Sequence, residues 1–283
     1  MQDAYIDHKG IRPITDGELA QFQRFIFEAA GISLSASKKA LVMGRLGKRL
    51  ALHQLKNFGQ YSSLLTSGNH PEEVQMAVDL LTTNETYFFR EPKHYDLLER
   101  ELTARKSRAP LSIWSAASSF GDEAYSTAML LSDLQNSGRI GPEWSILATD
   151  ISHRVLLSAK EAVYPQDRLR AVSPERLKRY CLRGEGPSDG QSMMQDKLRQ
   201  RLQFGQLNLC KPFSGLGPFD AVFLRNVLIY FDVPTKRDVV DRVLATLKPG
   251  GLFFLGTAEG RVACATPLQT VQPGVFRKPG GGH

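Results

Sequence analysis

The sequence predicts an α/β protein in which a small all-helical N-terminal domain precedes a doubly wound domain that carries an inserted antiparallel β-subdomain. Three observations support this prediction. Apolar residues recur with helical spacing over residues 1–83, and from residue 111 onward apolar strands alternate with amphipathic helices. The alternation lapses over residues 176–204, around the turn-rich stretch 183–190, which indicates short extended runs joined by a turn.

In the N-terminal domain, Thr15 and Glu18 have capping-box spacing and precede an apolar stripe that stops at Gly31. A second helix is predicted from a stripe that includes Leu46 and Leu50. Further helices are predicted over residues 58–65 and 72–81. A linking helix is predicted over residues 94–106, within a linker at 84–110.

The second domain, residues 111–283, contains predicted strands at 111–116, 145–149, 221–225 and 252–257. The first strand leads through Gly121 and Glu123 into a helix over 124–134, and the second strand ends on Asp150. An acid at this strand end typically binds ribose hydroxyls, so the pattern predicts a nucleoside-bearing cofactor. A G-x-G-x-x-G fingerprint is absent, which favours S-adenosylmethionine over a nicotinamide. The alternative is a plain tight turn whose acids stabilise the helix dipole.

Charge and cysteine content limit the class of protein. The formal net charge is +7, and residues 29–71 contain no Asp or Glu but include Arg45, Lys48 and Arg49. This basic face predicts an acidic partner, and the alternative is an ordinary solvated helix face. Three widely spaced cysteines indicate reduced thiols and neither a disulfide framework nor a metal site. No apolar stretch reaches the roughly 20 residues that span a bilayer, and residues 1–10 are polar, so we expect a cytoplasmic protein without direct membrane insertion.

Two further segments combine polar and aromatic residues. Residues 80–91 read Leu-Leu-Thr-Thr-Asn-Glu-Thr-Tyr-Phe-Phe-Arg-Glu, and residues 219–231 read Phe-Asp-Ala-Val-Phe-Leu-Arg-Asn-Val-Leu-Ile-Tyr-Phe. The first could be a connection between helices with its aromatic residues in the core. Together with Gly121, Asp150 and the Lys-Pro-Gly-Gly stretch at 248–251, they resemble the chemotaxis receptor methyltransferase family, CheR, over nearly the whole chain.

The resemblance implies a Rossmann-like methyltransferase domain that transfers methyl from S-adenosylmethionine to glutamate side chains of bacterial chemoreceptors. By matching motif positions, it implies cofactor contacts for the following residues: Asn84, Thr86, Arg90, Gly121, Glu123, Asp150, Asn208, Leu209, Asn226 and Val227. Arg90 and Tyr230 are the candidate catalytic residues, and residues 84–110 would contribute to the active site. S-adenosylhomocysteine would be the product.

The implied partner is the cytoplasmic domain of membrane chemoreceptors. Arg45, Lys48 and Arg49 would face its Glu-rich helices, and Gly184, Gly186 and Gly190 resemble the loop of members that hold a receptor's C-terminal peptide by strand addition. We expect no nucleic acid partner, because aromatic residues are not interleaved with the basic ones at 38–56. Two alternatives stay open at this stage, a nucleic-acid methyltransferase and a non-catalytic receptor-binding adaptor.

This chain departs from the usual family pattern at the cofactor turn. Members commonly read Ser-Thr-Gly-Glu-Glu-Pro-Tyr-Ser, whereas here Phe120, Asp122 and Ala124 stand in the corresponding stretch. Thr257-Ala-Glu259 likewise replaces a more usual His-Ser-Glu. We expect cofactor binding to survive these changes, because Gly121, Glu123, Tyr125 and Ser126 remain.

Overall fold

The computed structural model describes residues 11–105 and 107–280, and its contacts divide the chain into two units. The first contains the residues up to Thr83 together with Tyr230–Asp232, and the second contains the remainder. The polar segment 1–10 lies outside the described residues. Within the described ranges, no helix is long and apolar enough to cross a bilayer.

The first unit is helical, as predicted. Its helices are α1 (Asp16–Ala30), α2 (Lys39–Leu52), α3 (Phe58–Thr66) and α4 (Pro71–Leu81). The predicted capping box is present, with the side chains of Thr15 and Glu18 each accepting from the other's backbone N–H. Helix α1 ends at Gly31, whose φ of 71° requires the left-handed conformation that glycine adopts without strain.

A buried charge cluster joins the helices of this unit. The carboxylate of Glu73 accepts hydrogen bonds from Tyr61 Oη (2.5 Å) and from the guanidinium of Arg49, and it lies 3.0 Å from His53 Nε2. These partners lower the pKa of Glu73 to about 2 against the opposing effect of burial. The cluster ties α2, α3 and α4 together through side chains alone.

The second unit is built on a mixed sheet of seven strands in the order β6-β2-β1-β7-β8-β10-β9. Its strands are β1 (Leu111–Ser115), β2 (Trp144–Asp150), β6 (Leu202–Gln206), β7 (Phe219–Leu224), β8 (Leu247–Leu255), β9 (Gln269–Gln272) and β10 (Val275–Arg277). Helices α5 (Pro92–Ala104), α6 (Asp122–Asn136), α7 (His153–Glu161) and α10 (Val233–Ala245) accompany them.

Strands β1, β2, β6, β7 and β8 are parallel, and β10 pairs antiparallel with both β8 and β9. Strand β1 lies between β2 and β7, so the strand order changes direction there. Ligands of doubly wound sheets bind at such a switch point, outside the carboxyl ends of the strands. The four predicted strands are all present, whereas β6, β9 and β10 are not predicted as strands of this sheet. Strand β6 begins within the range assigned to the inserted subdomain, and β9 and β10 are short and lack apolar alternation.

A second sheet of three antiparallel strands has the order β3-β5-β4, with β3 (Val163–Pro165), β4 (Cys181–Arg183) and β5 (Gln191–Met194). Helix α8 (Pro174–Tyr180) precedes β4, and α9 (Asp196–Arg199) follows β5. The inserted antiparallel β-subdomain that the sequence predicts is therefore present as a sheet, whereas residues 202–204 of the predicted range belong to β6 of the large sheet. The subdomain's third strand, β3, lies outside the predicted range. The sequence does not predict it, because three residues that include a proline give no strand signal.

Candidate active site

Asp150 stands at the carboxyl end of β2, where the sequence predicts a ribose ligand. Its carboxylate is buried and accepts hydrogen bonds from the backbone N–H of Ser119 (2.9 Å) and of Ser152 (2.9 Å). The Ser119 amide belongs to the turn after β1, and the Ser152 amide belongs to the start of α7. The acid is therefore held in one orientation between two strand ends.

The turn between β1 and α6 has the tight geometry that its glycine predicted. Gly121 has a φ of 88°, and a Cβ at this position would lie 3.1 Å from both Ala159 Cβ and Tyr164 Oη. Ser119 also has a positive φ of 50°. A side chain at position 121 would strain the backbone at this positive φ and would also crowd Ala159 and Tyr164, so this turn depends on glycine.

The segment 84–91 is hydrogen-bonded to this turn and to the helix α6 that follows it. Ser119 Oγ donates to the carbonyl of Asn84 (2.9 Å), and the backbone N–H of Phe89 donates to Ser126 Oγ (2.9 Å). Arg90 is half-buried, donates to the carbonyl of Glu85 (3.0 Å) and stacks on the Tyr87 ring at 5.7 Å. The cofactor turn and the Arg90 segment therefore form one local assembly.

Glu123, at the start of α6, is held between a hydroxyl and a guanidinium. Ser115 Oγ donates to its Oε1 (2.6 Å), and Arg225 Nη1 donates to its Oε2 (3.2 Å). Burial raises the pKa of Glu123, while the nearby charge of Arg225 opposes that rise. Arg225 also donates to the carbonyl of Arg90 and lies 3.5 Å from Glu91 Oε2.

The loop after β7, which contains Asn226, is organised by Glu259. The carboxylate of Glu259 accepts from the backbone N–H of Asn226 (2.8 Å), Leu228 (2.7 Å) and Gly256 (2.8 Å). Asn226 has a φ of 58°, and a Cβ at Gly256 would lie 2.5 Å from its Nδ2. Glu259 survives in the altered Thr-Ala-Glu stretch, and it fixes the loop on which Asn226 lies.

Asn208 and Leu209 follow β6, next to the Asp150 strand end. The N–H of Leu207 donates to the Asp150 carbonyl (3.0 Å), and Asn208 Oδ1 accepts from the N–H of Cys210 (2.9 Å). The guanidinium of Arg242 donates to the carbonyl of Leu209 at 3.2 and 3.0 Å. This loop is thereby placed beside Asp150. Thr86 and Val227 are half-buried members of their own segments.

The departures from the family pattern form a contact group of their own. Asp122 is fully buried and receives two hydrogen bonds from Arg168, at 2.7 and 2.8 Å. The same guanidinium lies 4.6 Å from the centre of the Phe120 ring, and Arg154 lies 5.5 Å from that ring. Ala124 is fully buried. Phe120 and Asp122 therefore share Arg168 as a contact.

Predicted residues that belong to the first unit lie within that unit's own contacts. Tyr230 ends a short 3-10 helix, Leu228–Tyr230, and its carbonyl accepts from Ser33 N–H (2.8 Å). Arg45 donates to the carbonyls of Leu80, Leu81 and Thr82 at the end of α4. Arg49 is paired with Glu73, whereas Lys48 is exposed. Arg45 and Arg49 therefore have structural contacts, and Lys48 keeps an ammonium group in solvent.

The three glycines of the predicted peptide-binding loop lie between β4 and β5. Gly184 donates its N–H to the carbonyl of Gln191 (2.9 Å), and a Cβ there would overlap the Ser188 carbonyl. Gly186 and Gly190 are exposed and have φ values of 56° and 81°. The loop geometry thus requires glycine, and it leaves β4 at the edge of its sheet.

The side chains at the carboxyl ends of the parallel strands of the large sheet fit S-adenosylmethionine chemically. That cofactor carries ribose hydroxyls together with cationic sulfonium and ammonium groups, and these side chains include the carboxylates of Asp150, Glu123 and Glu91. Among the described residues, Ser118 Oγ is also buried at this turn without a hydrogen-bond partner. An unsatisfied buried hydroxyl is costly unless a ligand or water engages it.

Sequence reasoning assigned no role to Arg225, Glu91, Glu259 or Ser115, although Arg225 stands at the end of a predicted buried strand, where ligands of doubly wound sheets bind. Arg225 and Glu91 lie inside the motifs, and their side chains meet although the two residues are 134 positions apart in the sequence. The position of this arginine directly after an apolar strand is the signal that indicates it, because a charge there must find a partner at the end of the strand.

Comparison with known proteins agrees with both units. The model of the CheR methyltransferase SAM-binding domain matches residues 84–272, and the model of the CheR methyltransferase all-alpha domain matches residues 17–82. The chain is 39% identical over 247 residues to a chemotaxis protein methyltransferase of Escherichia coli, covering 87% of this chain and 85% of that protein. It is 40% identical over 267 residues to chemotaxis protein methyltransferase 2 of Pseudomonas aeruginosa, covering 93% of each. The chain therefore belongs to the CheR methyltransferase family and is an S-adenosylmethionine-dependent methyltransferase.

Proposed function

We propose that this enzyme methylates glutamate side chains on the cytoplasmic helices of bacterial chemoreceptors, forming glutamyl methyl esters in chemotaxis adaptation. The observation that supports the proposal best is the assembly at the carboxyl edge of the large sheet. There residues 84–90, the stretch 119–126 after β1, Asp150 and Arg225, which adjoins Asn226, are joined by direct hydrogen bonds. The family and its chemotaxis relatives supply the substrate class.

When bound, S-adenosylmethionine supplies an electrophilic methyl group on a sulfonium. A glutamate side chain, with a pKa near 4.3, is already ionised at neutral pH and needs no general base. The protein's contribution is to orient the carboxylate and to hold the cofactor. In this proposal Asp150 accepts from the ribose hydroxyls, and Glu123 faces the methionine portion.

Arg90 is the proposed residue for steering the incoming carboxylate. Its guanidinium is half-buried and is oriented by the Glu85 carbonyl and the Tyr87 ring. A partly solvated cation can attract a carboxylate without holding it so tightly that the oxygen loses its nucleophilicity. Tyr230 is proposed as the second residue near the reacting methyl group, on its motif position alone.

Docking to the receptor is proposed to use two surfaces. On α2, Lys48 presents its charge to solvent and would meet the Glu-rich receptor helix, while Arg45 and Arg49 support the fold beneath it. On the small sheet, the edge strand β4 would pair with a receptor's C-terminal peptide by strand addition. Leu182 of β4 is half exposed, so it is available to a peptide side chain.

The test is transfer of radiolabelled methyl from S-adenosylmethionine to receptor-bearing membranes, with nucleic acid as a parallel acceptor. Carboxyl methyl esters release methanol in alkali, so base-labile label on the receptor band is the expected result. Base-stable label on nucleic acid would contradict the proposal. Absence of transfer, with cofactor still bound in calorimetry, would instead indicate the non-catalytic adaptor.

The peptide surface needs a separate arm of the same assay. Receptors with and without their last few residues are compared as acceptors, and the isolated C-terminal peptide is added as a competitor. A higher KM for the truncated receptor, together with inhibition by the peptide, would support strand addition at β4. Equal KM values would remove that part of the proposal and leave the methyl transfer untouched.

A further inference from the structure

Arg225 is a buried arginine directly after β7. Its side chain is only 2% exposed, yet it is charged, because arginine is not deprotonated in proteins. Burying a guanidinium is unfavourable unless hydrogen bonds and opposite charges compensate it. The contacts of this side chain therefore indicate what its burial achieves.

Arg225 connects three segments of the candidate site. Nη1 donates to Glu123 Oε2 on α6 at 3.2 Å, and Nη2 donates to the backbone carbonyl of Arg90. The same Nη2 lies 3.5 Å from Glu91 Oε2. One side chain thus sets the position of Glu123, whose carboxylate is proposed to contact the cofactor, and of the backbone of Arg90, the proposed steering residue.

The carboxylates that Arg225 contacts are fixed on their other sides as well. Glu123 Oε1 accepts from Ser115 Oγ at 2.6 Å, so rotation of this carboxylate would break a bond at either end. Glu91 accepts from the N–H of Thr257 at 3.2 Å and from Asn226 Nδ2 at 3.5 Å. The guanidinium is the centre of a network that reaches from β1 to the end of β8.

The backbone around these contacts is in an unfavourable conformation. Phe89, Glu91 and Asn226 have φ values of 53°, 57° and 58°, in the left-handed region that non-glycine residues rarely adopt. Such residues persist only where the surrounding structure holds them. The Arg90 carbonyl lies between two of them, and Arg225 itself precedes the third, so Arg225 is placed to hold this strained geometry.

We infer that Arg225 is a positioning residue of the methyltransferase site. It orients Glu123 for cofactor binding and the Arg90 backbone for carboxylate steering. It acts through these two groups. The inference rests on the proposed placement of Glu123 and Arg90 at the cofactor. A purely structural arginine would contribute to stability without being coupled to Glu123 in ligand binding.

The experiment is a double-mutant cycle on the full chain, with S-adenosylhomocysteine as the titrated ligand in calorimetry. We expect Arg225→Met and Glu123→Gln each to raise Kd roughly tenfold or more, because each removes an ionic hydrogen bond from the site. The double variant should bind about as weakly as the weaker single variant, since both changes disable the same carboxylate. Arg225→Lys keeps the charge but cannot reach both acceptors, and should recover only part of the affinity.

Arg105→Met is the matched control, because Arg105 pairs with Asp220 at the amino end of the same strand. It removes a guanidinium–carboxylate pair and should leave Kd unchanged. All binding is measured well below each variant's unfolding temperature. If Arg225→Met does not fold, Arg225→Lys and its double variant with Glu123→Gln complete the cycle.

The outcomes separate this inference from the proposed function. If Glu123→Gln binds like the parent, the proposed placement of Glu123 is wrong, and the inference built on it is wrong as well. If Glu123→Gln binds weakly while the Arg225 variants bind like the parent, only the inference is overturned. Multiplicative losses in the double variant would also overturn it, because they would show that Arg225 does not act through Glu123.

Discussion

Strand β7 has an arginine–carboxylate cluster at each end, and the two clusters are built in opposite ways. At the amino end, the buried carboxylate of Asp220 accepts from Arg105 Nη1 (2.9 Å), Lys248 Nζ (2.8 Å) and Ser112 N–H (3.0 Å). At the carboxyl end, the buried group is the guanidinium of Arg225, which faces two carboxylates and a carbonyl.

The two ends also differ in electrostatics and in backbone. Arg105 and Lys248 are 45% and 35% exposed, and these cations lower the pKa of Asp220 against the effect of burial. At the carboxyl end burial raises the pKa of Glu123, and left-handed residues adjoin the cluster. The amino end therefore has the features of a stabilising cluster, whereas we propose that the carboxyl end gives up stability to hold groups in place for a ligand.

The largest difference between the carboxyl and the amino ends of the parallel strands is expected in cofactor binding. Asp150→Ala removes the proposed acceptor of the ribose hydroxyls, and charged hydrogen bonds are worth about 1.5–3 kcal/mol each. We expect Kd for S-adenosylhomocysteine to rise about 100-fold or more in calorimetry. Asp150→Asn, which keeps one acceptor oxygen, should bind with intermediate affinity.

The control for this prediction is Asp220→Asn, which changes an equally buried aspartate at the opposite edge of the sheet. Its Kd should match that of the parent. Equal losses in the Asp150 and Asp220 variants would show that both act by loosening the sheet, and the distinction between the edges would fail.

The sequence predicts the carboxyl edge better than it predicts the network that supports it. The strand end at Asp150, the turn at Gly121 and the cap at Gly31 follow from local rules on acids and glycines, and the structure has each of them. The role of Arg225 depends on Glu91 and Arg90, which lie far away along the chain. No local periodicity specifies which way a guanidinium turns.

The same distinction explains the basic residues of α2. Sequence spacing predicts that Arg45, Lys48 and Arg49 share a charged face, but Arg49 has a buried acid within reach only because α4 brings Glu73 to it. Arg45 likewise meets the carbonyls at the end of α4 only once the helices have packed. Long-range packing decides which cations are left for a partner.

A smaller effect is expected when the amino-end cluster is opened. Asp220→Asn should lower the free energy of unfolding by about 2 kcal/mol, because two cations lose their counter-charge while one acceptor oxygen remains. The folded-state pKa of Asp220 is lowered, so its contribution is present above the unfolded-state value near 3.9 and is lost as pH falls through the folded value.

Urea unfolding as a function of pH measures this directly. The variant should lose less stability than the parent as the solution is acidified, so the two curves should converge at low pH. Parallel curves would show that Asp220 contributes through shape and not through its charge.

The smallest effect on stability, and the one of opposite sign, is expected for Glu123→Gln. A carboxyl group whose folded-state pKa is raised binds a proton more tightly in the folded protein, so its ionisation costs stability as pH rises from the unfolded value through the folded one. Above the unfolded-state value the parent bears this cost, and the neutral glutamine avoids it. Arg225 still keeps its contacts with Glu91 and the Arg90 carbonyl in the variant. We therefore expect a small rise in Tm at pH 7, on the order of 1–3 °C, which shrinks toward pH 4.

A fall of several degrees in thermal unfolding would mean that the Glu123–Arg225 pair stabilises the fold as Asp220 does, and the two ends of β7 would then differ only in their ligands.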